Sequence, residues 1–206
     1  TRVFTLFIFL SMTAFFLQEL ILEPYAGLVF AYSPGASTSL SGAQHGGMFI
    51  GMLAVGIAVS GLKIGSLRAW VVGGCLGSAV MLAVIAALGQ VRVDLLTPAV
   101  AVLGVFSGMF AIASIGAMMQ LAGQGRAGRE GTRMGVWGAS QAIAQGLGGF
   151  AGAALVDALR LSGSTANAFG MVFALEALLF VAAGWMAWRI IDGGRLRAST
   201  RLVPGE

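Results

Sequence analysis

Charge is what this sequence has least of. Lysine and arginine number 12 and aspartate and glutamate 8 among 206 residues, 10% in all, against about 25% in an ordinary soluble domain. So few charged side chains cannot cover the surface of a soluble domain of this length. Cysteine is nearly absent too: Cys75 stands alone, which excludes an intrachain disulfide and a cysteine-based metal centre. Histidine occurs once, at His45. There is no HExxH, no plausible Ser/His/Asp set and no glycine-rich loop closing on Lys-Ser/Thr, so the residues point away from an enzyme and from a nucleotide site.

Apolar residues make up 58% of the chain and mean hydropathy is +0.91, which excludes intrinsic disorder. The 32 glycines have no three-residue period, which excludes collagen. An integral membrane protein remains. Long uncharged runs predict six helical spans: Val3–Ala31, Gly42–Ser60, Ala69–Gly89, Leu95–Gln120, Met134–Val156 and Asn167–Trp188. Each can cross roughly 30 Å of hydrocarbon at about 1.5 Å per residue. The runs lack the short alternating pattern of barrel strands, and open strands cannot stand in lipid. The fold class is an all-α membrane protein: a six-helix transmembrane bundle over 1–192, then a mobile tail over 193–206.

The connections carry an asymmetric charge. Arg2, Lys63, Arg68, Arg126, Arg129, Arg133, Arg189, Arg195, Arg197 and Arg201 fall on one side, Arg92 and Arg160 on the other. The positive-inside rule places the first group, and both ends of this segment, in the cytoplasm. That surplus is a topology signal and implies no nucleic-acid partner. The chain opens Thr1-Arg2-Val3 without a signal-peptide pattern, which suggests the second half of a longer, twelve-helix, transporter-like protein.

Small residues at helical spacing mark close packing. They are Gly47, Gly51, Ala54 and Ala58; Gly73 and Gly77; Gly104 and Gly108; and Gly135, Ala139, Ala142, Gly146, Gly149 and Ala153. The other reading of such grooves is that they admit a flat ligand. Glu19, Glu23 and Glu176 lie within spans, where a charge costs at least about 2.5–3.5 kcal/mol, so each is a functional suspect. Pro24 should break the first helix beside them. His45, next to Gly46 and Gly47, could ligate a metal, including the magnesium of a chlorophyll-type ring, or be a plain interfacial residue. Gln141 and Gln145, with Trp137, could hydrogen-bond across helices. Glu130, at the opening of the fifth span, suits the positive end of the helix dipole.

Two stretches carry a family likeness. Gln18-Glu19-Leu20-Ile21-Leu22-Glu23-Pro24-Tyr25-Ala26-Gly27 resembles the LLEPYGG-like signature of the PucC-type, or bacteriochlorophyll delivery, family of light-harvesting-complex assembly proteins. Gly128-Arg129-Glu130-Gly131-Thr132-Arg133-Met134-Gly135-Val136-Trp137-Gly138-Ala139-Ser140-Gln141 resembles its second, a GREG…WG-x-x-Q run. The resemblance implies the second six-helix half of a major-facilitator fold. It also implies a non-enzymatic chaperone that binds or delivers bacteriochlorophyll to antenna polypeptides in the bacterial inner, intracytoplasmic photosynthetic membrane. The reaction-centre complex and pigment-synthesis enzymes would be further partners. The motif positions carried over are Glu19, Glu23, Pro24, Tyr25, Arg129, Glu130, Trp137 and Gln141. Related transporters read G-x-x-x-D-R-x-G-R-R between the second and third helices of a half; Gly61-Leu62-Lys63-Ile64-Gly65-Ser66-Leu67-Arg68 lacks the aspartate, which argues against rocking transport.

A proton- or cation-coupled transporter using Glu19, Glu23 and Glu176 is the competing expectation, and a purely structural subunit of a photosynthetic complex a third. The pigment surface expected from sequence joins Phe15, Phe16, Glu19, Glu23 and Tyr25 to His45, Gly46, Gly47 and Gly51. For topology, a thiol label supplied from outside should reach a cysteine placed at Ser37 and miss one at Ser199; the reverse pattern would overturn the assignment.

Overall fold

The computed structural model describes residues 2–91, 93–123, 130–161 and 163–191, and those residues are helical with short turns and no strand. The tail expected over 193–206, the arginines within it and Arg129 lie outside the described residues. The helices are α1 (Arg2–Leu17), α2 (Leu22–Phe30), α3 (Pro34–Gly56), α4 (Leu67–Val91), α5 (Leu96–Gly123), α6 (Glu130–Arg160) and α7 (Thr165–Ile190).

Five stretches are continuous helices long and apolar enough to cross a membrane: Pro34–Gly61, Leu67–Val91, Leu96–Ala117, Gly138–Arg160 and Thr165–Ile190. The first expected span differs. It is two pieces, α1 of 16 residues and α2 of 9, joined by a turn over 18–21. Pro24 explains the break: without an amide hydrogen it cannot continue α1, but it fits the first turn of a new helix. The Leu22 amide returns to the Gln18 carbonyl at 3.0 Å and the Tyr25 amide to Ile21 at 2.9 Å, restarting the ladder.

The second span starts earlier than expected, at Pro34. Ser33 is extended and its hydroxyl accepts the Ala36 amide at 3.3 Å, with Pro34 in the first helical position; that combination nucleates a helix whatever its hydropathy. Most of the expected loop is thus helix, Ser37 is buried, and Ser39, which is exposed, is the better residue to label. At its far end α3 widens into a π turn, Ile57–Gly61. The chain then reverses through left-handed Lys63 (φ 54°) and Gly65 (φ 78°).

In cross-section α3 packs on α5, α5 on α4, α4 on α7, α7 on α1, and α1 on α6. The pairing has an internal regularity. Let α1/α2, α3 and α4 stand for α5, α6 and α7. The α3–α5 contact then becomes α6–α1, α4–α5 becomes α7–α1, and α4–α7 maps onto itself. The main helix contacts are thus symmetric under exchange of these two groups of three spans.

Glycine makes these seams. A side-chain carbon at Gly47 or Gly51 would strike the Ala101 or Val105 carbonyl of α5, and one at Gly104 or Gly108 the Gln44 or Met48 carbonyl of α3. On α6 the seam is Gly148 and Gly152, against Thr13 and Leu17 of α1. Most of the stripe expected on that helix faces away: Gly135 and Gly146 have open space and Ala139 and Ala142 are exposed. With apolar residues on every side, sequence spacing could not choose the packed face. Gly51→Ala should therefore lower stability by about 1–3 kcal/mol through overpacking, while Gly46→Ala, which points into open space, should not; equal thermal melts of the two variants in detergent would refute the seam.

Candidate functional site

A cavity of about 350 Å³ opens between α1, α3, α5 and α6, at the small end of the roughly 300–1,000 Å³ range of ligand pockets. The first span contributes Met12, Phe15, Phe16 and Glu19; α3 His45, Met48 and Met52; α5 Phe110, Ala111 and Ile115; and α6 Gln141 and Gln145. Phe110 is fully buried, as are Met12 and Phe16 to within a few per cent, while Glu19, His45 and Gln145 are exposed. The cavity is an apolar bed with a few polar groups at an accessible edge.

Local sequence explains each placement. Glu19 stands in the turn between α1 and α2, turned out to the cavity where Gln18 turns in and is buried. His45, Met48 and Met52 recur at i, i+3 and i+7, one face of α3, beside the face of Gly47 and Gly51 that α5 covers. Three of the expected site residues, Glu19, His45 and Gln141, thereby meet in one cavity. Gly47 and Gly51 do not line it: the α5 backbone occupies the space a ring would need there.

His45 is held in a defined orientation. Its Nδ1 lies 2.8 Å from the Ser41 carbonyl. A carbonyl can only accept, so Nδ1 carries the hydrogen, and in the neutral ring Nε2 keeps its lone pair. Ser41 also donates its hydroxyl to Glu23 Oε1 at 2.6 Å. One serine thus ties Glu23 to the helix turn that orients His45. Sequence reasoning missed Ser41 and the cavity methionines; the His-x-x-Met-x-x-x-Met spacing was the available signal.

The remaining candidates lie elsewhere. Pro24 is exposed in the first turn of α2. Tyr25 is fully buried, donates to the Ile85 carbonyl at 2.6 Å, and packs against Phe169 and Phe173 at 5.3 and 4.9 Å between ring centres. It is an anchor for α2, away from the cavity lining. Tyr32 extends that anchor: it donates to Asp94 at 2.6 Å, and burial, with Asp94 beside it, raises its pKa above the usual tyrosine value. Glu130 opens α6; its side chain and that of Trp137 lie outside the described residues. Glu176 is fully buried on α7 and neither carboxyl oxygen finds a hydrogen-bond partner among the described residues. It sits a turn from Phe173 and a turn from Phe180, whose ring meets cavity-lining Phe110 at 5.9 Å. No cluster of three or more His, Cys, Asp and Glu occurs among the described residues.

Comparison with known proteins identifies the family. The family described as PUCC protein matches residues 1–194. The chain belongs to that family. It is 62% identical over all 206 residues to the "Bacteriochlorophyll synthase 44.5 kDa chain" of Rhodobacter capsulatus, covering 48% of that protein. It is 31% identical over 157 residues, 70% of this chain and 29% of the relative, to an "Uncharacterized protein in puhA-bchM intergenic region" of Rhodobacter capsulatus. The chain thus spans about half the length of the first relative and less of the second. No solved structure matches it significantly.

Tyr25→Phe removes one buried hydrogen bond and keeps the ring. It should cost about 1 kcal/mol of stability, read as a lower thermal midpoint, without changing the cavity; an unchanged midpoint would show that the bond to Ile85 contributes nothing.

Proposed function

We propose that this PUCC-family chain is a non-enzymatic assembly factor for photosynthetic light-harvesting complexes, receiving bacteriochlorophyll in its cavity and presenting it to antenna polypeptides. The observation that carries the reading is the free Nε2 of His45 at the edge of an apolar cavity. A bacteriochlorophyll is a flat, largely apolar ring whose magnesium takes one axial nitrogen or oxygen donor. His45 supplies that donor, Gln141 and Gln145 supply amides for ring carbonyls, and Phe15, Phe16, Met48 and Met52 supply deformable apolar contact.

The name of the 62%-identical relative, which ties it to bacteriochlorophyll, supports the same pigment class. That name also says "synthase"; our reading is of a carrier of finished pigment, which needs binding groups and no bond-making step. The repeat-like pairing of the helices supports reading the bundle as one six-helix half of a major-facilitator-type protein, and the cationic connections support cytoplasmic ends in a photosynthetic inner membrane. Reaction-centre and pigment-synthesis proteins join the antenna polypeptides as proposed partners. The transporter reading finds less support, because its carboxylates do not share a site: Glu19 lines the cavity, Glu23 bonds Ser41 and Glu176 is sealed inside.

The test is the near-infrared spectrum of the full-length protein purified from pigmented membranes. Bacteriochlorophyll bands should co-purify, and His45→Phe, which keeps an aromatic ring and removes the donor, should lower pigment per protein severalfold and slow antenna assembly. Pigment content and antenna assembly unchanged in His45→Phe would remove His45 as the ligand. A protein free of pigment that drives proton-coupled uptake in vesicles would replace the carrier reading altogether.

A further inference from the structure

At the end of the bundle opposite the α2–α3 turn, the start of α4 and the end of α7 carry a second array of side chains, unconnected with the cavity. The Arg68 guanidinium carbon lies 3.7 Å from the centre of the Trp188 ring, and that of Arg189 lies 4.0 Å from the centre of Trp185. Both tryptophans belong to the last turns of α7, three residues apart on neighbouring positions of one face. Both are more than half exposed, at 57% and 58%. Among the described residues neither arginine has a carboxylate partner; the one ion pair, Arg160 with Asp157, is at the other end of the bundle. Arg68 Nε is buried and has no hydrogen-bond partner among the described residues.

Stacking fixes what these groups can do. A guanidinium laid flat on an indole spends its face on the ring and leaves its in-plane N–H edge free, in the fork geometry that suits phosphate oxygens. Exposed tryptophans at the end of a membrane helix belong at headgroup depth, where phosphate is the abundant acceptor. Two cations over two rings, with no carboxylate partner among the described residues, are complementary to a negative headgroup. We infer that Arg68 and Arg189, stacked on Trp188 and Trp185, form a binding site for the phosphate of an anionic phospholipid at the α4–α7 edge of the bundle. A zwitterionic lipid carries the same phosphate but neutralises it, so the site discriminates by net charge.

The full-length protein in detergent, titrated with phosphatidylglycerol or phosphatidylcholine and followed by native mass spectrometry, tests this. The wild type should retain phosphatidylglycerol in preference. Arg68→Gln with Arg189→Gln should weaken that binding roughly thirty-fold, from about 1 kcal/mol for each cation, and leave phosphatidylcholine binding unchanged. A preference undiminished in the double variant overturns the site. Displacement of the lipid by excess inorganic phosphate overturns the lipid assignment in favour of a free-phosphate site. A photoreactive phosphatidylglycerol checks the unmodified protein independently of variant folding: adducts on the peptide carrying Trp185–Arg189 are expected, and adducts confined to other helices would refute it.

Discussion

Backbone-to-backbone contact between α3 and α5 is the constraint on which the candidate site depends. Lipid gives two apolar helices no hydrophobic reason to associate, so they must gain contact by approaching closely. Gly47 and Gly51 on one helix and Gly104 and Gly108 on the other remove the side chains that would hold them apart. Once that face of α3 is committed to α5, its rotation is fixed, and the adjacent face with His45, Met48 and Met52 must look into the cavity. The glycines and the imidazole are neighbours in sequence because one aims the other.

The broken first span makes the second contribution. In an unbroken helix Glu19 would have been one more residue on an apolar rod, with a charge to bury. The turn over 18–21 brings Glu19 out at the cavity edge and lets α2 restart around Tyr25, whose hydroxyl reaches across to α4. Each group near the site is thereby fixed by something other than its own chemistry: Glu19 by a proline five residues on, His45 by a serine carbonyl, and Glu23 by the same serine's hydroxyl.

Hydropathy made the helical class and the approximate place of most spans legible in the sequence, because length and charge-free composition are what the bilayer tests. It misplaced the second helix start, since Ser33 and Pro34 nucleate a helix through hydrogen bonding and fixed torsion that hydropathy does not register. The packing stripe of α6 was misread in part, Gly149 alone of its glycines packing inside against Leu20: where every face is apolar, only contact with the first span decides that Gly148 and Gly152 are inside while Gly146 is out. Of the site, the polar members were legible as rare residues in an apolar chain. Their convergence was not, because Glu19, His45 and Gln141 come from helices whose adjacency no local pattern states.

The hydrogen bond from His45 to the Ser41 carbonyl has a consequence for selectivity. In its neutral form the ring gives its one N–H to the helix and offers the cavity an electron pair, and the Glu19 carboxyl, when ionised, offers the same. That edge of the cavity therefore favours a Lewis acid or a hydrogen-bond donor and disfavours a group that is itself rich in lone pairs. For a tetrapyrrole, the choice falls on what occupies its centre. If the cavity receives pigment as proposed, a magnesium-bearing ring would give the imidazole a metal to coordinate, and a ring that has lost its metal would leave the lone pair unmet. The same pocket would then pass intact pigment and turn away demetallated pigment by coordination alone, before shape or size entered.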